Sequence, residues 1–280
     1  MRRIAFIVLA SFSLALPAAA ATLDRIRDTG VLKIGYREDA PPFSAKSELG
    51  EPSGYTVSLC RSVAARIKEE LKLDKITAEY VPVSAENRFQ MVADGKVDLL
   101  CGATTATLSR REIVDFSLPV FVDGASVLLR ADGPKTFGDL EGRKVGVRAG
   151  TTTEEALRNT VKDLSITVET IAVKDHKDGL AKLQKNEIAA YFADRAILFF
   201  LMSGSTSHTK LMLSDQLLTY EPYALALPRG DDDFRLSVDR ALSRIYRSGE
   251  IASVFNGAFG PTAKPTAELR ALYRISALPE

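Results

Sequence analysis

Tryptophan is absent from this 280-residue chain, and cysteine and histidine occur only twice each. The histidines are His176 and His208 and the cysteines are Cys60 and Cys101, with no CxxC or HxxxH spacing, so no metal site is expected. Charge of one sign is lacking too. Lysine and arginine total 37 against 36 aspartate and glutamate, and that balance leaves no basic surplus to hold nucleic acid. GxSxG, P-loop and GxGxxG motifs are missing, which removes the motif-based hydrolase, NTPase and dinucleotide readings. A pair of carboxylates in glycosidase-like roles stays open, because sequence carries no distances. After the first residues no run is apolar enough to cross a membrane.

The amino terminus has the pattern of a secretory signal. Arg2 and Arg3 precede an apolar run from Ile4 to Leu16, then Pro17 and Ala18 to Ala21, which suits cleavage after Ala20 or Ala21. The competing reading is a membrane anchor. The run is short for a span, and no cysteine near the cleavage site offers a lipid attachment point. About 260 residues follow, enough for one large or two smaller domains. In an oxidising compartment Cys60 and Cys101 invite a disulfide; the alternative is two buried thiols acting as small hydrophobes.

Short β-type runs alternate with amphipathic helices, the signature of α/β layers with mainly parallel sheets. Val31 to Gly35 reads as a strand. Val57, Cys60, Val63, Ala64, Ile67 and Leu71 recur at helical spacing over 56–71. Strand 76–83, helix 87–94 closed by Gly95, and strand 97–101 complete one series. A second series follows: strand 144–147, a turn at Ala149 to Thr153, a helix with Glu154 and Glu155 in its first turn, strand 166–173, helix 180–185, strand 188–192 and helix 194–202. The alternation runs once in each half, which predicts two similar lobes. The β-rich segments Ala125 to Arg130 and Tyr223 to Pro228 are the expected crossings between them. Phe234, Val238, Ala241, Leu242 and Ile245 form a helical stripe in the returning segment, whereas the Pro-interrupted tail from Pro261 is expected to have no core role.

In open α/β sheets ligands sit outside the carboxyl ends of the strands. Arg37 follows the first strand, Arg88 starts the helix after the second, and Thr104, Thr105 and Arg110 follow the third. One arginine alone is more often a solvated charge, but three on one sheet edge point to an anion, since a guanidinium fork matches a carboxylate. Thr151, Thr152 and Thr153 precede a helix whose free amides would receive an anion, or supply only a cap. Asp194 follows strand 188–192 and would bind an ammonium or cap a helix. His176 sits in an expected loop, where a lone histidine is more often structural.

The chain resembles the family 3 periplasmic solute-binding proteins of polar amino-acid ABC transporters over nearly all of residues 22–260. The resemblance is strongest in Gly95-Lys96-Val97-Asp98, Thr104-Thr105 and Ser109 to Ser117, with Pro41-Pro42-Phe43 and Gly54-Tyr55 in support. Gly35-Tyr36-Arg37, Glu86-Asn87-Arg88, Cys101 to Thr105 and Lys174-Asp175-His176 are similar to the glutamate/aspartate-binding branch. It implies a type II two-lobed α/β periplasmic binding protein with two hinge-crossing segments. Residues 1–21 would be the signal peptide, 22–126 with 227–262 lobe I, 127–226 lobe II and 263–280 a C-terminal tail. It implies a monomer without cofactor that hands its ligand to an inner-membrane ABC permease.

It also implies roles. Arg110 and Thr105, next to Thr104, would hold an α-carboxylate, covered from the second lobe by Thr151 to Thr153. Asp194 would take the α-ammonium, and Arg37, Arg88 and His176 a side-chain carboxylate. Three arginines and one aspartate sum near +2, against −1 for glutamate. That branch usually carries serine where Ala85 and Ala103 stand, each lost hydroxyl being worth about 0.5–1.5 kcal/mol; Ser84 is the candidate to compensate for Ala85. Two other readings share the scaffold: a dehydratase acting on cyclic carboxylic acids, with Glu38, Asp39 or Asp194 as general acid, and a ligand-binding sensor component.

Overall fold

A computed structural model describes residues 22–280; the expected signal peptide over 1–21 lies outside the described residues. The chain opens with α1 (Thr22–Thr29) and β1 (Val31–Arg37). A small antiparallel sheet of β2 (Asp39–Ala40), β3 (Ser44–Lys46) and β4 (Pro52–Ser53) then leads into α2 (Tyr55–Glu70). Gly54 permits that turn: its φ is 114°, and a Cβ there would stand 2.4 Å from the Phe43 carbonyl. The α2 stripe is buried as its spacing requires, with Val57, Cys60, Val63 and Ile67 inaccessible to water.

Next come β5 (Thr77–Val83), α3 (Arg88–Ala93), β6 (Leu99–Cys101) and the long β7 (Val114–Asp123). Strand β1 lies between β5 and β6, parallel to both, with Arg37 beside Val83 and Tyr36 beside Cys101. The register brings the carboxyl ends of the three strands to one edge. A disulfide joins Cys60 on α2 to Cys101 on β6, with Cα atoms 6.4 Å apart. It ties helix to sheet behind that edge, and closing a loop of this length contributes about 2–4 kcal/mol.

The second sheet is built from β8 (Ala125–Arg130), β9 (Lys144–Val147), β10 (Glu169–Ala172), β11 (Ala190–Asp194) and β12 (Leu211–Leu213), in the order β10-β9-β11-β8-β12. Helices α4 (Thr152–Asp163), α5 (His176–Gln184) and α6 (Arg195–Ser203) accompany it. Strand β13 (Glu221–Pro228) returns to the first sheet, whose order is β5-β1-β6-β13-β7. Helices α7 (Asp232–Ser248), α8 (Glu250–Phe259) and α9 (Ala267–Ile275) finish the first lobe. The expected stripe on α7 is buried from Phe234 to Ile245. Among the described residues no helix is long and apolar enough to cross a membrane.

Three expectations are corrected. The crossings are not Ala125–Arg130 and Tyr223–Pro228. Both segments are buried sheet strands, because their near-continuous apolar residues need cover on both faces. The chain instead passes between sheets at Gly124 and again between Thr219 and Glu221, so the change-overs fall outside β8 and β13 rather than at 126/127 and 226/227. The two passages touch: a Cβ on Gly124 would stand 2.0 Å from the Thr219 carbonyl, so glycine lets them lie against each other. Second, the tail has a core role. Thr266 caps α9, and Leu269, Leu272 and Tyr273 are buried at i, i+3, i+4 spacing. The Tyr273 hydroxyl lies 2.8 Å from that of buried Tyr55. The prolines at 261 and 265 precede this helix and do not interrupt it. Third, His176 is the first residue of α5, not part of a loop, because the Asp175 carboxylate accepts from the Asp178 amide and starts the helix there.

Candidate ligand-binding site

The first lobe supplies three guanidiniums. Arg37 ends β1, only 2% exposed, with its fork already occupied: Nε and Nη2 each donate to Asp39 at 2.8 Å. Arg88 starts α3, also 2% exposed, and donates to the Ala85 carbonyl and, across the cleft, to the Gly150 carbonyl at 3.5 Å. Its buried Nε has no partner. Arg110 starts a 3₁₀ turn and donates to the Thr105 carbonyl at 2.8 Å. Arg88 and Arg110 both rest on the Phe89 ring, 4.6 and 5.0 Å from its centroid. Burial lowers the pKa of both, most strongly for Arg88, where Arg37 and Arg110 add repulsion. Neither forms an ion pair with a carboxylate among the described residues. Two crowded, desolvated cations of this kind favour an incoming anion.

The second lobe answers with α4, α5 and β11. Thr151 caps α4, its hydroxyl accepting from the Glu154 amide and donating to the Arg148 carbonyl. The first amides of a helix have no intrahelical acceptor, so the start of α4 presents free donors and the positive end of its dipole. The Thr152 hydroxyl donates to Glu221 at 2.6 Å, and Thr153 donates to Asp194 at 3.0 Å. Asp194 ends β11, but its carboxylate caps no helix; it accepts from Thr153 and from the Tyr223 hydroxyl. Burial, and then the charge of Glu221, push its pKa up to about 6.

His176 is 3% exposed, with Nδ1 2.6 Å from the Tyr191 hydroxyl and Nε2 without a partner. Tyr191 reaches it because position 179 is glycine: a Cβ there would stand 2.4 Å from the tyrosine ring. Burial, then the nearby Arg37 charge, lower the His176 pKa to about 3, so the imidazole is neutral at physiological pH.

Arg37, Arg88, Thr105, Arg110, His176, Asp194 and Thr151 to Thr153 line one cavity between the lobes, with Ala103, Phe192 and Ala193 as its apolar wall. Thr104 does not. It is fully buried behind the wall, and its carbonyl accepts from the Ala224 amide, tying the loop to β13. Ser84 does not compensate for Ala85 either, since its hydroxyl accepts from the Glu86 and Asn87 amides at the start of α3. The charge tally also changes. Asp39 neutralises Arg37, leaving Arg88 and Arg110 as the guanidiniums without a carboxylate partner.

Four residues escaped sequence reasoning. Arg148 lines the same cavity from the second lobe and pairs with Glu86 at 2.7 Å. It directly follows β9, so the strand-end rule that selected Arg37 would have found it. Glu221 is buried behind the cavity and accepts from Thr105, Thr152 and Thr219. The Tyr223 hydroxyl donates to Asp194 and also lies 3.4 Å from Asp123. These three lie at the lobe passages and carry no motif. Among the described residues no cluster of His, Cys, Asp or Glu has the makings of a metal site. Contacts from Arg88, Arg148 and Thr105 reach the second lobe or come from it, so the lobes are closed on each other.

One family model matches residues 32–261, from β1 past α8. The L-glutamate/L-aspartate-binding protein of Pseudomonas aeruginosa is 31% identical over 246 residues, covering 87% of this chain and 82% of that protein. A glutamate/aspartate import solute-binding protein of Salmonella typhimurium is 29% identical, over 87% and 81%. The cysteine-binding protein of Campylobacter jejuni shares the fold with a TM-score of 0.75, at 23% identity over 87% of this chain and 96% of its own. A family pattern that runs through both lobes makes this chain a member of the bacterial extracellular solute-binding proteins, family 3.

Proposed function

We propose that the protein captures an acidic amino acid, glutamate or aspartate, in the periplasm and delivers it as a monomer to the inner-membrane permease of an ABC-type importer. One observation carries this reading: two guanidiniums that have no carboxylate partner among the described residues, buried Arg88 and half-buried Arg110, face a carboxylate, Asp194, and a helix start inside a cavity closed by both lobes. A zwitterion with a second carboxylate meets each demand. Arg110 and Thr105 hold the α-carboxylate, and the start of α4 at Thr151 to Thr153 covers it. Asp194 takes the α-ammonium. Arg88, the neutral His176 and the donors of Arg37 not committed to Asp39 take the side-chain carboxylate.

Hinge closure removes water, which strengthens each of these contacts. The ligand is held and released without covalent change. The names of the Pseudomonas and Salmonella relatives support the ligand class. The amino-terminal basic and apolar pattern supports export.

Thermal unfolding with each proteinogenic amino acid tests the reading. Glutamate or aspartate at 100 times its Kd should add about 2.7 kcal/mol of stability. Lysine and arginine should add none, and a screen in which no amino acid shifts the transition contradicts the proposal.

A further inference from the structure

Among the described residues, Arg148 is the one guanidinium of the cavity wall that comes from the second lobe. It reaches over the cleft. Its Nη1 donates to Glu86 at 2.7 Å, its Nη2 lies 3.4 Å from the other Glu86 oxygen, and its Nε stands 3.5 Å from Asp39. Asp39 in turn holds the fork of Arg37. A row of alternating charge therefore runs Glu86, Arg148, Asp39, Arg37, in which only Arg148 belongs to the second lobe. The row flanks the end of the cavity where His176 lies, whose ionisation feels Arg37, Asp39 and Arg148. The Nε of Arg148 is buried and makes no hydrogen bond, as is true of Arg88 Nε and His176 Nε2.

Opening the lobes would carry Arg148 away and leave Asp39 with Arg37 as a self-contained pair. Closing them adds one positive charge to that end of the cleft. A ligand side chain that is anionic meets this added charge; the isosteric amide brings a dipole only. We infer that Arg148 is a specificity-determining residue, which makes closure favour a side-chain carboxylate over its amide. The inference rests on the amino-acid-binding reading above. It assigns to a second-lobe residue a discrimination that Arg37, half-committed to Asp39, cannot carry alone.

Calorimetric titration of the full mature chain with glutamate, glutamine, aspartate and asparagine tests it. The ratio of acid to amide affinity in the wild type should fall by about tenfold or more in Arg148→Gln, chiefly through weaker acid binding. Arg148→Lys keeps the charge and should keep most of the ratio. Glu86→Gln removes an interlobe contact without removing the cation, so it should weaken acid and amide alike and leave the ratio at or above the wild-type value. Arg148→Gln with an unchanged ratio, or with equal losses for acid and amide, overturns the inference and reduces Arg148 to a simple latch. A wild type that binds the amides but not the acids overturns it while sparing amino-acid binding. A wild type that binds none of the four overturns both readings.

Discussion

Arg110→Ala should lose binding of every amino acid, by about 3–5 kcal/mol, or a factor of roughly 150 to 4,000 in Kd. The size follows from what truncation leaves behind. Arg110 lies half-buried on Phe89, with the Thr105 carbonyl as its protein acceptor. Its remaining donors face the cavity. Without it the α-carboxylate of any amino acid would be buried in a closed cleft with no cation beside it, which costs far more than the surface pair it resembles. Because the α-carboxylate is common to all amino acids, the loss should not depend on the side chain. Arg110→Lys keeps the charge but not the planar fork and should recover part of the affinity. The unliganded variant should unfold within about 1 kcal/mol of the wild type, the worth of one hydrogen bond to Thr105. Calorimetry gives the affinity and urea unfolding the stability. Retained micromolar binding of glutamate by Arg110→Ala would contradict the assignment.

Asp194→Asn should be nearly as damaging, and it should change the pH dependence as well. In the unliganded protein burial and Glu221 raise the Asp194 pKa to about 6, while bonds from Tyr223 and Thr153 pull it down. A carboxyl whose folded pKa lies above its unfolded value contributes stability that is full below about pH 4 and is lost as pH rises through 6. Ligand binding runs the other way. An ammonium needs the ionised carboxylate, so binding below pH 6 must expel a proton, and affinity should fall about tenfold for each further pH unit. Above pH 7 the profile should be flat, since His176 stays neutral throughout. The asparagine variant should bind about 3–5 kcal/mol more weakly at pH 7.5 and lack the slope between pH 5 and 6. Titrations in buffers of different ionisation enthalpy report the released proton directly. Wild-type affinity that is constant from pH 5 to 7 would contradict the role of Asp194.

Both large sheets are mixed rather than mainly parallel, and their parallel halves, β5-β1-β6 and β10-β9-β11, explain why so much of this site could be read from the chain. Where a strand of period-two or continuous apolar pattern ends, the next residues emerge at a known edge. That geometry placed Arg37, Arg88 and Arg110 together and set Asp194 against them. The same rule, applied to the second lobe, reaches Arg148, which directly follows β9 and precedes the turn at Ala149 to Thr153. Glu221 and Tyr223 were invisible for a different reason. They act at the passages between lobes, where position depends on how two distant segments, near Gly124 and Thr219, lie against each other. Local pattern carries no record of that contact. Thr104 shows the limit within a short motif, since successive residues of an extended loop point oppositely and only Thr105 faces the cavity. Asp39 shows the limit of counting charges, because a neighbour two residues away consumed the fork of Arg37. At the tail, Pro261 and Pro265 lie ahead of α9 and lead into it, a place where proline is at home.

The placement of the ligand in the cleft is open to direct observation by a crystal structure of the mature protein grown with glutamate. The expected electron density has the α-carboxylate on Arg110 and Thr105, the ammonium on Asp194, and the side-chain carboxylate between Arg88 and His176 Nε2 with Arg148 closing over it. Glutamate bound outside the cleft, or within it with the ammonium remote from Asp194 and a carboxylate turned away from Arg110, would contradict that placement.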